Sequence, residues 1–359
     1  MRSSPKKITP PSTAPVKATI ADVARTAGVS KATVSRFLNH RDTLLSKDIA
    51  TRVEVAIAAL GYSPSPMAQA LKRGRSKLIG LVVADVSNPF SVALLRGAEK
   101  ACQQAGYLIM LFNLADDDTR EQEAIEALST YQVEGFILNT LGHNGGAAAN
   151  AIRHGKPVVL IDRRHHDLQV DFVSLDNAGA MRLAIGHLMT QGYRHLLYVT
   201  EPIKGVSTRE ERSSSFHRWI SERQTTDPLL TGQTLENSAQ QTACLDDGLR
   251  ALHASAPRGK AAVITSNAVT SLRVVAAMAR LNLHLGADIG LVGIDETEWA
   301  PYVGPGLSTI AQPTDELGRI AASCLIERLK GQQPPARQIL LSGELVLRGS
   351  SQATPAATP

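Results

Sequence analysis

The stretch TIADVARTAGVSKATVSRFLN, Thr19 to Asn39, decides how the front of this chain is read. Thr19 is suited to cap a helix whose apolar positions Ile20, Val23, Ala24 and Ala27 share one face, and Gly28 breaks that helix. A second helix is expected from Ser30. The tight Gly28-Val29-Ser30 turn between them has the spacing that sets the second helix of a helix-turn-helix unit into a DNA major groove. A third helix is expected from about Lys47 to Leu60, with Ile49, Val53, Ala56, Ile57 and Leu60 at helical spacing, stopping at Gly61. Pro64 and Pro66 then mark a linker.

Charge points the same way. Residues 1–75 carry 13 Lys or Arg against 4 Asp or Glu, a surplus of nine, whereas the remainder carries 25 against 29. A compact basic unit is what neutralising phosphates requires; a surplus serving solubility would be spread over the whole surface. Cys102, Cys244 and Cys324 are far apart and form no CxxC or Cys/His cluster, so no disulfide framework, metal site or cofactor is expected, and each is expected to fill core volume in a reducing compartment. Residues 1–18 are expected to be a disordered basic tail without the apolar run of a secretory signal. No stretch of about 18 apolar residues occurs, so the expectation is a cytoplasmic protein with no membrane partner.

From Lys77 the pattern changes to short apolar runs alternating with amphipathic helices: LIGLVVAD, LIMLFNL, GFILNT, PVVLID, LLYVT, AAVIT and IGLVGID. Seven such strands are the signature of parallel sheets in a doubly wound α/β protein, and their number suits two similar subdomains with a cleft between them. Ligands of such sheets sit beyond the carboxyl ends of the strands. The chain has no G-x-S-x-G, no H-E-x-x-H and no phosphate-binding loop, which argues against an enzyme. An exported sugar-binding protein would share the core but not the basic front end.

With Ala24, Gly28, Val29, Ser30, Thr33, Val34, Ser35, Arg36 and Asn39 all in pattern, the chain resembles the lactose-repressor (LacI/GalR) family of transcription regulators from Thr19 to about Arg348. The resemblance implies an α/β protein: an all-α helix-turn-helix headpiece (19–64), a hinge helix or linker (65–76), and a core of two doubly wound parallel-sheet subdomains of the periplasmic-binding-protein type (77–348), with 349–359 a disordered tail. It further implies a homodimer on near-palindromic double-stranded operator DNA. On the recognition helix Val34 and Leu38 must face the headpiece core, which turns Lys31, Ala32 and Arg36 outward. Arg36 can fork onto guanine O6 and N7, Lys31 can donate to a purine edge, and Ala32 can touch a thymine methyl. Thr19, Ser30, Thr33, Ser35 and Asn39 suit phosphate contacts that fix register. In the run SPMAQALKR, Leu71 matches the family's minor-groove wedge or is a core leucine, and Ser65 and Pro66 depart from the usual hinge pattern.

For the effector, the cleft candidates are polar residues at strand ends. Asp85, Asn88 and Phe90 lie in DVSNPF after the first strand, where Asn88-Pro89 is either a turn starter or part of the cleft. Asp162 and Arg163 end PVVLID, Arg212 lies in the helix after LLYVT, Asn267 follows AAVIT, Asp295 closes IGLVGID, and Gln312 follows LSTIA; the resemblance makes them ligand residues. Carboxylates and amides accept hydrogen bonds from sugar hydroxyls, while Arg163 and Arg212 suit a carboxylate. The expected effector is a small sugar or sugar acid. Over its whole length the chain also resembles the branch of the family that responds to 2-ketogluconate, and release of DNA is the expected effect, the alternatives being another sugar or activation. The helix after Pro89, with Val92, Leu95 and Ala98, either serves the dimer or packs within the chain. The run after Arg348, GSSQATPAATP, has no leucine repeat for a tetramer-forming coiled coil.

Overall fold

A computed structural model describes residues 18–39, 45–63, 75–117, 119–140, 146–165, 167–256 and 260–352. The chain forms two compact units, Met1–Ser76 and Lys77–Pro359. The first holds α1 (Ile20–Ala27), α2 (Lys31–Asn39) and α3 (Lys47–Leu60). Thr19 and Asp22 form a capping box at the start of α1, Ser46 caps α3, and Gly28 and Gly61 end α1 and α3 in the left-handed conformation that glycine adopts without a Cβ penalty. Each helix sends one fully buried valine, Val23, Val34 or Val53, into a shared core completed by Ala24, Ala27, Phe37 and Ala56.

The second unit runs β1 (Leu78–Val83), α4 (Pro89–Gln104), β2 (Leu108–Asn113), α5 (Arg120–Thr130), β3 (Gly135–Asn139), α6 (Gly146–Arg153), β4 (Val158–Ile161), β5 (Asp171–Leu175), α7 (Asn177–Thr190), β6 (His195–Thr200), α8 (Ser207–Gln224), β7 (Thr231–Glu236), α9 (Thr242–Ser255), β8 (Ala261–Thr265), α10 (Ala268–Arg280), β9 (Gly290–Ile294), β10 (Ser308–Ala311), α11 (Thr314–Leu329), β11 (Gln338–Leu341) and β12 (Glu344–Val346). Two six-stranded sheets result, β2-β1-β3-β4-β5-β11 and β7-β6-β8-β9-β10-β12. All neighbours are parallel except β10 and β12. The two sheets repeat one topology, and in each the strand order reverses beside the first strand. That reversal opens a crevice at the carboxyl ends, where doubly wound sheets bind ligands.

The chain passes between subdomains three times: at Asp176, at Gln312-Pro313, and between β11 and β12. The second passage returns α11 to the first sheet, where Leu317, Ala321 and Leu325 pack with Leu94, Ala98 and Ile79. The α4–α11 contact is very close. A Cβ on Gly97 would lie 2.0 Å from the Asp315 carbonyl oxygen, and one on Gly318 would lie 2.2 Å from that of Leu94.

Several expectations need correction. Residues 349–351, expected to belong to a disordered tail, are instead ordered: Gly349–Ser351 form a 3-10 turn with Ser350 and Ser351 fully buried. The Ser350 hydroxyl accepts from the Ser308 amide and donates to the Leu291 carbonyl, giving this serine-rich segment backbone partners in the second sheet. Four strands were not anticipated: β5, β7, β11 and β12. Cys102 and Cys324 are buried, but Cys244 is exposed and fills no core. In α4, Ala98 and Leu95 pack within the chain, and of the three residues singled out there only Val92 is exposed. Among the described residues no helix is long and apolar enough to cross a membrane.

Candidate functional site

The headpiece places Lys31, Ala32 and Arg36 on the exposed side of α2, opposite buried Val34 and Phe37. Thr19, Ser30, Thr33 and Ser35 have local roles or partners already. The Thr19 hydroxyl donates to Asp22 (2.7 Å), and the Ser30 hydroxyl accepts from the Thr33 amide (3.1 Å) and lies 2.9 Å from the Thr33 hydroxyl. Ser35 is half-buried on α2. Thr19 and Ser30 remain exposed at helix starts, where unpaired N–H groups favour anions. Leu71, Ser65 and Pro66 lie outside the described residues, as does the side chain of Asn39.

In the core, one cleft gathers Asp85, Asn88, Phe90, Asp162, Arg163, Arg212, Asn267, Asp295 and Gln312, together with Asp116, Asn139, Glu201, Arg209 and Arg273. Asn88 and Asn267 have a second duty. Their side-chain oxygens cap α4 and α10 by accepting from the Phe90 and Thr270 amides, so each is both turn residue and cleft wall. Asp162 and Asp295 occupy equivalent positions, directly after β4 and β9, and both have left-handed backbone, with φ of 64° and 81°. A non-glycine residue held there costs about 1–2 kcal/mol, a strain typical of sites where a side chain must be aimed.

Each of these aspartates is anchored in its own subdomain. Asp162 accepts from Asn139 (3.2 Å) and lies 3.7 Å from Arg163. Asp295 accepts from the Ala268 amide (3.1 Å) and from Gln312 (2.5 Å). Burial raises the Asp295 carboxyl above the usual range, and the positive charge of Arg212 acts against that rise. Burial likewise raises Asp116, with Arg163 pulling it down. Arg212 donates from Nε to Asn177 Oδ1 (2.7 Å) and from Nη1 to the Ser266 carbonyl (2.5 Å). Arg163 is half-buried, and its buried Nε has no hydrogen-bond partner among the described residues. Glu201 receives Arg209 (2.6 Å) and Asn267 (2.9 Å) and lies 3.7 Å from Arg273.

Sequence reading missed Asp116, Asn139, Glu201, Arg209 and Arg273. Asn139 closes β3 and Glu201 directly follows β6, so the rule that placed Asp162 and Asp295 at strand ends reaches them too. Arg209 and Arg273 lie within helices, and only the fold brings them to Glu201.

With this geometry in view, the similarities are direct. Residues 19–65 match the bacterial regulatory proteins of the lacI family, and residues 185–351 match the periplasmic binding protein-like domain. The HTH-type transcriptional regulator PtxS of Pseudomonas plecoglossicida is 44% identical over 95% of this chain and 97% of its own length. The regulator KdgR of Bacillus subtilis is 38% identical over 92% and 97%, and the ribose operon repressor of Escherichia coli is 31% identical over 93% and 100%. The fold is similar to that of the lac repressor dimer bound to operator and the anti-inducer ONPF, with a TM-score of 0.80 at 24% identity over 94% of this chain and 100% of that one. The chain belongs to the lacI family of bacterial regulatory proteins. It is a helix-turn-helix transcription regulator, not an enzyme.

Proposed function

We propose that this regulator is a repressor that holds its operator as a homodimer and is released by a sugar acid, 2-ketogluconate, bound in the cleft. The observation that carries this reading is the pair of guanidinium groups that line one cleft, half-buried Arg163 from the first subdomain and buried Arg212 from the second. A carboxylate bound between them receives charge-assisted hydrogen bonds from both sides, and Asp162, Asp295 and Asn267 are donors' partners suited to hydroxyls. Because the cations come from different subdomains, the ligand stabilises closure, and by linkage it binds less tightly to the operator-bound form. Whole-chain likeness to PtxS supports the same branch of the family.

The test is calorimetry of the full chain with 2-ketogluconate, gluconate and ribose, paired with gel shifts on operator DNA. The expected result is tightest binding of 2-ketogluconate with release of DNA. Tight binding of a neutral sugar and none of the acids overturns the effector, and tighter DNA binding with ligand overturns release.

On the DNA side, Arg36→Ala is expected to abolish discrimination among operator variants while leaving non-specific, salt-sensitive affinity, since one bidentate base contact contributes about 1–3 kcal/mol. Wild-type preference retained in a competition gel shift removes Arg36 from the reading set. Light scattering at micromolar concentration is expected to give the mass of a dimer, as two half-sites require two headpieces. Exposed Val92, Leu108, Leu111, Leu272 and Tyr302 supply apolar surface for that contact. A monomer persisting on operator DNA refutes the mechanism.

A further inference from the structure

The cleft arginine Arg212 does not hold its position alone. Its Nε donates to Asn177 Oδ1 at 2.7 Å, and the amide nitrogen of the same Asn177 donates to Glu211 Oε2 at 2.9 Å. The other oxygen of Glu211 lies 3.7 Å from Arg164 Nη2. Arg164 follows Arg163 in the first subdomain, and its backbone amide donates to the Ser207 hydroxyl at the start of α8 in the second, at 2.8 Å. Asn177 itself is 2% exposed and stands where the chain first passes from one subdomain to the other.

Two features separate this from ordinary packing. Helix α7 does not need the Asn177 amide for its cap, since Asp176 accepts from the Gly179 amide at 2.9 Å. The chemistry also selects asparagine: one short planar group must accept from a guanidinium, which only donates, and donate to a carboxylate, which only accepts. That pairing fixes the amide orientation as well. An aspartate there could still accept from Arg212 but would repel Glu211, and an alanine could do neither.

We propose that Asn177 is a positioning residue: it aims Arg212 into the cleft and, through Glu211, ties that arginine to Arg164 on the opposite subdomain. The state of the effector-binding arginine and the contact between subdomains are then coupled, because neighbouring residues on each side, Arg163 with Arg164 and Arg212 with Glu211, face the cleft and the tie respectively. This rests on the reading that Arg212 grips the effector.

The experiment uses the full chain and two variants, Asn177→Ala and Asn177→Asp, with two readouts. By calorimetry with 2-ketogluconate, Asn177→Ala is expected to bind about tenfold more weakly, and Asn177→Asp to lose less than about threefold, because its carboxylate still holds Arg212. By hydrogen exchange of the effector-free protein, peptides containing Arg164 and Ser207 are expected to exchange faster in both variants, because both break the link to Glu211. Equal affinity loss in the two variants, or exchange at the wild-type rate in both, overturns the proposal. If the wild-type chain binds no 2-ketogluconate, the effector reading falls, and the exchange measurement still decides the tie.

Discussion

Replacing Arg212 by alanine is expected to produce a regulator that holds its operator and ignores its effector, with affinity for 2-ketogluconate lowered by about 100-fold or more. Two charge-assisted hydrogen bonds at about 1.5 kcal/mol each account for that loss, at 1.4 kcal/mol per tenfold. The change also removes the positive charge that opposes the burial-driven rise of the Asp295 carboxyl. Asp295 is then driven further toward its protonated form, which converts a hydroxyl-accepting carboxylate into a group that donates as well. Arg212→Lys is the informative companion. It restores charge but not the fork that reaches Asn177 and Ser266 together, so it is expected to recover only part of the affinity. Calorimetry and operator release measured side by side decide the matter, and an unchanged dissociation constant in Arg212→Ala removes this residue from the site.

The second large effect concerns stability. Gly318→Ala is expected to destabilise the core by about 3 kcal/mol, the upper end of overpacking costs. That corresponds to a fall in melting temperature of roughly 6–12 °C. A methyl group 2.2 Å from the Leu94 carbonyl oxygen has no flexible neighbour to displace, because its obstacle is helix backbone. Helices α4 and α11 must move apart, opening the cluster of Leu94, Ala98, Leu317 and Ala321. Gly186→Ala is the control. It lies on the exposed face of α7 with nothing within 4 Å of the added carbon, and it is expected to stabilise by about 0.5–1 kcal/mol through helix propensity. A melting temperature for Gly318→Ala equal to that of wild type shows that the two helices adjust without cost.

Most of the architecture could be read from the chain because its inner strands are apolar on both faces. LIGLVV, GFILN and VVLI have no competing interpretation once they alternate with helices. The strands that escaped notice carry polar residues for identifiable reasons. β5 contains Asp171, fully buried yet paired with Arg328 and Arg337, partners more than 150 residues away in sequence that no local pattern reveals. β7 is an edge strand and reads TGQTLE, with its side chains half in water. β11 and β12 are short and partly exposed for the same reason. The cleft followed a similar division. Residues directly at strand ends could be located from the chain, whereas Arg209 and Arg273 reach the cleft only through helix packing around Glu201.

The three passages of the chain between subdomains also govern how the protein is made. Strands β1 to β5 leave the ribosome in sequence, but α11 and β11, which cover and complete that sheet, follow only after residue 314. At ordinary rates of synthesis the delay is on the order of ten seconds. During that interval the faces of Ile79, Leu81, Val83, Val159 and Ile161 lack the helix carrying Leu317, Ala321 and Leu325, and the β5 edge lacks its neighbour. A nascent chain in this state presents an uncovered apolar surface and an open hydrogen-bonding edge, the two features that recruit chaperones or invite pairing with another chain.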